Sequence, residues 1–312
     1  ATTTTPRRHR PLSSSSSSSG VRSSYEVGSD VVVDLEAETR LAVAATPQQA
    51  VTVAKGLDLS FSETGRVLVR IEGPFVEAQI PQRVASARLA ARDIEFAGKL
   101  EASSRLEVCG SSVRIDGTAR AAEVNVSAEE DVDATKLVEA ETVTLAGGRI
   151  TVAKLHATDA IVTARSLEVE SAYCRKMRLD VAGDARVHTF HGLLEVTCDG
   201  RFDLERLTGS ATVDCDSGKV HFDAAAPSRT STLKAKGDLE IRLCADDDVR
   251  LTLTAPTVNI MAHKNLAVLR DDLVVDDEGT PFHVVAARLS PTTWKGVPGS
   301  QRQQQQRQQK ST

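Results

Sequence analysis

A chain of 312 residues, 40% of them apolar, has enough material for one elongated domain or two ordinary ones. Only 3% are Phe, Tyr or Trp, so the interior must be filled by Val, Leu, Ile and Ala stacked in successive layers. The net charge of −5 conceals flanking cations: setting aside Arg7, Arg8, Arg10, Arg22, Arg302, Arg307 and Lys310 leaves −12 on the body from Tyr25 to Gly299, which argues against nucleic-acid binding by the folded part.

In chain order, residues 1–24 contain no acid, four arginines and an unbroken serine run from Ser13 to Ser19. Such a segment cannot pack a core and is expected to be a disordered tail. An Arg-rich, Ser-rich and acid-poor front end also has the character of an organellar transit peptide, which predicts a mitochondrial or plastid protein; an extracellular or envelope location is the alternative. Residues 25–91 alternate apolar and polar positions, as in Val31-Val-Val33, Leu41-Ala-Val43 and Val67-Leu-Val-Arg-Ile71. With Gly73-Pro74 and Pro81 as punctuation, this reads as an N-terminal β entry or cap region of antiparallel strands.

Residues 92–260 carry a register. Leu106, Val124, Val143, Ile161 and Leu179 open or sit in apolar-x-apolar triplets 18 to 19 residues apart, and Val113, Val132, Ile150, Leu167 and Val187 form a second series with nearly the same period. Intervening residues such as Glu107, Arg114, Asn125, Thr144, Thr151, Glu168 and Asp180 are polar, as required when neighbours face a lumen and they face water. The pattern is plainest from Leu194 to Phe222, where Leu194-Glu-Val196 and Phe202-Asp-Leu204 return as Val213-Asp-Cys215 and Val220-His-Phe222. Asp199-Gly200 and Ser217-Gly218 between them read as corners where Gly supplies positive φ. Two interleaved series predict two strands per coil. The expected fold is therefore all-β: a single-stranded, right-handed-type parallel β-solenoid of about 18–19 residues per coil, with capping β regions at both ends. A lone coil cannot offset its own ordering entropy, so each must stack on the next. Residues 261–299 are expected to form the C-terminal cap, with Trp294 over the last coil, and the Gln-rich residues 300–312 a disordered tail.

Gly183-Asp-Ala-Arg-Val187, Leu204-Glu-Arg-Leu-Thr-Gly209 and Val213-Asp-Cys-Asp-Ser-Gly-Lys-Val-His-Phe222 give the chain its resemblance to a known family. It resembles the putative-adhesin domains of unknown function, which include bacterial envelope-associated proteins and eukaryotic members of mitochondrial type. The resemblance covers roughly residues 92–260. It implies a parallel-type β-solenoid and names no catalytic residues; the chain departs from it in the less regular coils around Ala119 to Ala134.

Chemistry is sparse. Cys109, Cys174, Cys198, Cys215 and Cys244 form no C-x-x-C pair and no disulfide framework, and Cys215 is expected to point inward as a small hydrophobe. His188, His191 and His221 with Asp199, Asp214 and Asp216 lie in neighbouring coils where a transition metal is conceivable, yet surface His and Asp are ordinary on a solenoid, and no metal site is assigned. The clusters Glu129-Glu130-Asp131 and Asp246-Asp247-Asp248 read as solvated turns, since the Gly-Gly-x-Gly-x-Asp calcium repeat is absent. A polysaccharide-cleaving β-helix would need carboxylates and an Arg on one ridge; Asp180, Asp199 and Arg201 are the nearest candidates, and nothing singles them out from other charges. No phosphate loop, G-x-S-x-G or H-E-x-x-H occurs. The expected role is a non-enzymatic structural or interaction solenoid without cofactor, catalytic or metal residues, presenting repeat faces to a protein partner or to itself. The alternatives are a surface adhesin for an external ligand and, less favoured, the polysaccharide enzyme. No stretch is long and apolar enough to predict a membrane span.

Overall fold

The computed structural model describes residues 22–27, 31–54, 59–61, 68–225, 230–243, 249–262, 266–275 and 281–289. Fifteen strands and no helix are found among them: β1 (Arg22–Glu26), β2 (Val32–Thr46), β3 (Ala50–Ala54), β4 (Leu59–Phe61), β5 (Leu68–Pro81), β6 (Arg83–Ala90), β7 (Asp93–Arg120), β8 (Glu123–Val181), β9 (Ala185–Ala225), β10 (Thr230–Ala235), β11 (Asp238–Leu243), β12 (Val249–Thr254), β13 (Thr257–Ala262), β14 (Leu266–Val275) and β15 (Pro281–Leu289). β7, β8 and β9 run to 28, 59 and 41 residues because extended backbone continues around the corners and one strand winds through several coils.

Parallel pairing from coil to coil defines the body. Leu106 pairs with Val124 and Val113 with Val132; further on, Val169 pairs with Val187, Leu179 with Val196 and Val213 with Leu233. The chain is thus a stacked parallel β-solenoid, as its repeat predicts. The inward side chains alternate along each strand, and Leu106, Val124, Val143, Val113, Val132, Ile150 and Val187 are all buried. The packing is mostly aliphatic, with Phe96, Phe190 and Phe202 among the largest wholly buried side chains.

Four expectations need correction. Two inward series are joined by a third, Leu100, Ala119, Val138, Leu155, Ala172, Phe190 and Leu207, all buried, so a coil has three inward-facing stretches rather than two. In this third series the residue two places on is always small, as in Leu100-Glu-Ala102, Ala119-Arg-Ala121, Ala172-Tyr-Cys174 and Phe190-His-Gly192, so the apolar signal of each triplet is weak. Ile161 does not belong to the first series: it is exposed, and Val162 beside it is buried. Val187 stacks on Val169, not on Leu167, which pairs with Ala185. Gly200 and Gly218 do not adopt positive φ; among the described glycines that conformation belongs to Gly98, Gly192 and Gly209. Gly200 is needed for close approach instead, because a Cβ there would sit 2.5 Å from Asp184 Oδ1 and 2.8 Å from the Gly183 carbonyl oxygen.

The two ends differ from the body. β1 pairs antiparallel with β3, and β3 and β4 pair antiparallel with β5. β2, however, pairs in parallel with β5 on one side and with β6 and β7 on the other. The residues expected to form an antiparallel entry region therefore also form parallel coils, and they do so out of chain order, with β2 lying between the later strands β5 and β6. At the far end β12 pairs antiparallel with β15 and β15 with β14. Trp294, both terminal segments and Asp246-Asp247-Asp248 lie outside the described residues.

Candidate functional site

With the lumen filled by apolar side chains, chemistry is confined to outward positions, and stacking turns each outward position into a column. Arg114 lies opposite Asp133, Glu168 opposite Arg186, and Lys219 opposite Glu240. Together with Glu95 and Asp203 they form a column on the face whose inward side carries Val113, Val132 and Val187. Its charges alternate in sign along Glu168, Arg186 and Asp203 and again at Lys219 and Glu240. The Arg186 guanidinium stands 3.8 Å from the Asp203 carboxylate, and the Lys219 ammonium 3.4 Å from that of Glu240. Strand spacing of about 4.8 Å makes this alternation consequential, since like charges at that separation would repel directly.

Beside the column, His188 spans three coils. Its Nδ1 lies 3.0 Å from a Glu205 oxygen and its Nε2 3.6 Å from a Glu168 oxygen. Hydrogen bonding to Glu205 is the main reason its pKa is raised, against a smaller opposing effect of burial, and the same contact lowers the pKa of Glu205. Next along these strands is an open groove of about 470 Å³. One wall carries Ser171, Thr189 and Arg206; the other carries Tyr173, His191 and Thr208, with Glu170 at the margin. Ser171 pairs with Thr189 and Tyr173 with His191 in the register, so each wall advances one residue per coil. Tyr173 is 47% exposed. Its ring stacks on His191 at a centroid distance of 4.5 Å and an interplanar angle of 8°, and His156 meets it edge-on at 5.1 Å.

The residues singled out from sequence part company. His188 joins two glutamates while His191 joins the ring stack, and the side chain of His221 lies outside the described residues. Asp216 meets the Lys236 ammonium at 2.8 Å. Arg201 commits its guanidinium to Asp203 at 2.8 Å and its backbone N–H to Asp184 at 2.9 Å, whereas Asp180 lies opposite Thr197. In the cluster 129–131, Glu129 accepts from Ser111 Oγ and Asp131 pairs with Arg149. Cys215 is buried and inward, as expected. Burial pushes its thiol up to about 12 and that of Cys174 up to about 11, which keeps both unreactive. The groove had no sequence motif. Its signal was two aromatic-type residues, Tyr173 and His191, 18 residues apart at polar positions.

No family model and no curated protein matches the chain. Among solved structures, it is similar to a putative adhesin from Parabacteroides merdae ATCC 43184, at 8% identity and a TM-score of 0.24, over 78% of this chain and 95% of that one. The likeness is too distant to transfer any property.

Proposed function

We propose that the chain is a non-enzymatic interaction solenoid whose charged column meets a protein partner or a second copy of itself. The observation that carries this reading is the alternation of sign along Glu168, Arg186 and Asp203 and at Lys219 and Glu240, on a face formed by parallel coils. The stacked pairs Arg114 with Asp133, Glu168 with Arg186 and Lys219 with Glu240 are each neutral. The column therefore selects against plain polyanions and polycations and favours a surface of matching pattern. A photo-crosslinking residue placed at Arg114 or Arg186, and separately at Thr163, would test it in native extract and in the purified chain. Adducts to one protein, or to a second copy, are expected from the first two positions and not from Thr163. Equal labelling at all three, or none, would overturn the reading. We further propose that residues 1–24 direct the chain to a mitochondrion or plastid; a reporter carrying them that stays diffuse in the cytosol would refute this.

A further inference from the structure

The groove beside the column is a separate feature and does not depend on the proposed protein partner. We propose that it binds a neutral, hydroxyl-rich ligand: an oligosaccharide lying across the coils. Four observations lead there. First, the fold does not require Tyr173 outside. The core is complete without it, and in a chain with 3% aromatic residues an exposed ring flanked by two imidazoles marks a place where a polar-tipped ring is useful.

Second, one face of the ring is already occupied. His191 stacks on one face of Tyr173 and His156 meets it in a T-shaped arrangement, so the groove is offered ring rims, the phenol hydroxyl and imidazole nitrogens more than a flat apolar platform. Across the groove stand the hydroxyl of Thr189 and that of Ser171, which donates to the Ala153 carbonyl oxygen at 3.3 Å and so offers the groove an acceptor, and Thr208 lies beyond His191. Groups that both donate and accept suit a ligand whose own groups do the same, as sugar hydroxyls do. Third, the charge is balanced. Arg206 at one coil and Glu170 at another leave no net field to hold a phosphate or a polyanion, and the body of the chain is acidic.

Fourth, an extended peptide finds little to hold. β8 and β9 pair with one another along this stretch, so their backbone groups are engaged in the ladder and no open strand edge faces the groove. The lining offers no apolar pocket for an anchoring side chain. The groove advances one residue per coil along both walls, which fits a repeating chain better than a compact molecule, and its volume is in the range of ligand sites.

Isothermal titration of the full chain with cellohexaose, chitohexaose and mannohexaose tests the proposal, with heparin hexasaccharide and an extended Ser/Thr-rich decapeptide as comparators. At least one neutral hexasaccharide is expected to bind. Tyr173→Ala and Thr189→Val should each weaken it at least about tenfold, the loss of one good polar contact, while Arg114→Ala on the charged column should change it less than about twofold. Circular dichroism of each variant establishes that the coils are intact. Binding that survives both groove variants, binding only of the heparin or peptide comparator, or no binding of the neutral sugars at millimolar concentration would overturn it. Crosslinking at the column remains a separate readout, so failure of one proposal leaves the other standing.

Discussion

Val213 and Gly209 are four residues apart and constrained by different physics. Val213 is buried between coils, opposite Leu233, and a carboxylate placed there would lose water without gaining a partner. Val213→Asp is expected to cost several kcal/mol, about 3 or more, and to lower the thermal unfolding midpoint sharply. At Gly209 the limit is space and backbone. Its φ is +136°, and an added Cβ would stand 2.0 Å from the Gly192 carbonyl oxygen; a Cβ on Gly192, with φ +126°, would stand 1.8 Å from that of Cys174. Two successive coils thus turn the same corner with no room for a methyl group, each against a backbone carbonyl of the coil before it. Gly209→Ala should lower the midpoint by an amount comparable to Val213→Asp, whereas Thr163→Ala, at an exposed outward position, should stay within about 0.5 kcal/mol. A silent Gly209→Ala would mean that the corners are not packed as described.

Within β8 and β9, neighbouring coils are held by backbone pairing inside and by charged side chains outside, and His188 is where the outside becomes sensitive to pH. Glu168 and Glu205 face it across the adjacent coils, and Arg186 and Arg206 lie beside Glu205. Because the folded-state pKa of His188 is raised above its ordinary 6.5, its contribution is fully present below that value and is lost as pH rises through the higher folded value. Glu205 behaves in the opposite sense. Its folded pKa is lowered from 4.5, so its contribution is present above that value and lost as pH falls through the lower one. The contact therefore stabilises most between about pH 4.5 and 6.5. The stability difference between the native chain and His188→Gln, measured by denaturant unfolding, should be larger at pH 5.5 than at pH 8. An unchanged difference would show that the imidazole is not held by its two glutamates. Both residues partly face water, so the effect should shrink in high salt.

At the scale of the whole molecule, period and burial were legible together: a spacing of 18 to 19 residues, alternating about polar outward positions, admits little else than stacked coils. The third inward stretch was not legible, because its triplets, such as Ala119-Arg-Ala121, Val138-Glu-Ala140 and Ala172-Tyr-Cys174, are built largely from small residues that carry little apolar signal. The position of β2 between β5 and β6 was hidden as well, since it depends on pairing between residues 54 apart, Val32 with Ser86, which no local period records. The groove escaped notice because it joins isolated residues from successive coils, each unremarkable on its own. Leu167 and Ala185 occupy equivalent places in adjacent coils, so removing residues 167–184 joins Ser166 to Ala185 and excises one coil in register. The shortened chain should fold, keep an all-β circular dichroism spectrum and unfold cooperatively, because each coil interacts chiefly with its neighbours. Removing only residues 167–175 would leave the inward stretches of the remaining coils out of step, exposing buried aliphatics along their length. That half-coil deletion should be insoluble or unfolded. Equal tolerance of both deletions, or failure of the full-coil deletion alone, would mean that the coils are not interchangeable units and that the chain is held together by contacts beyond nearest neighbours.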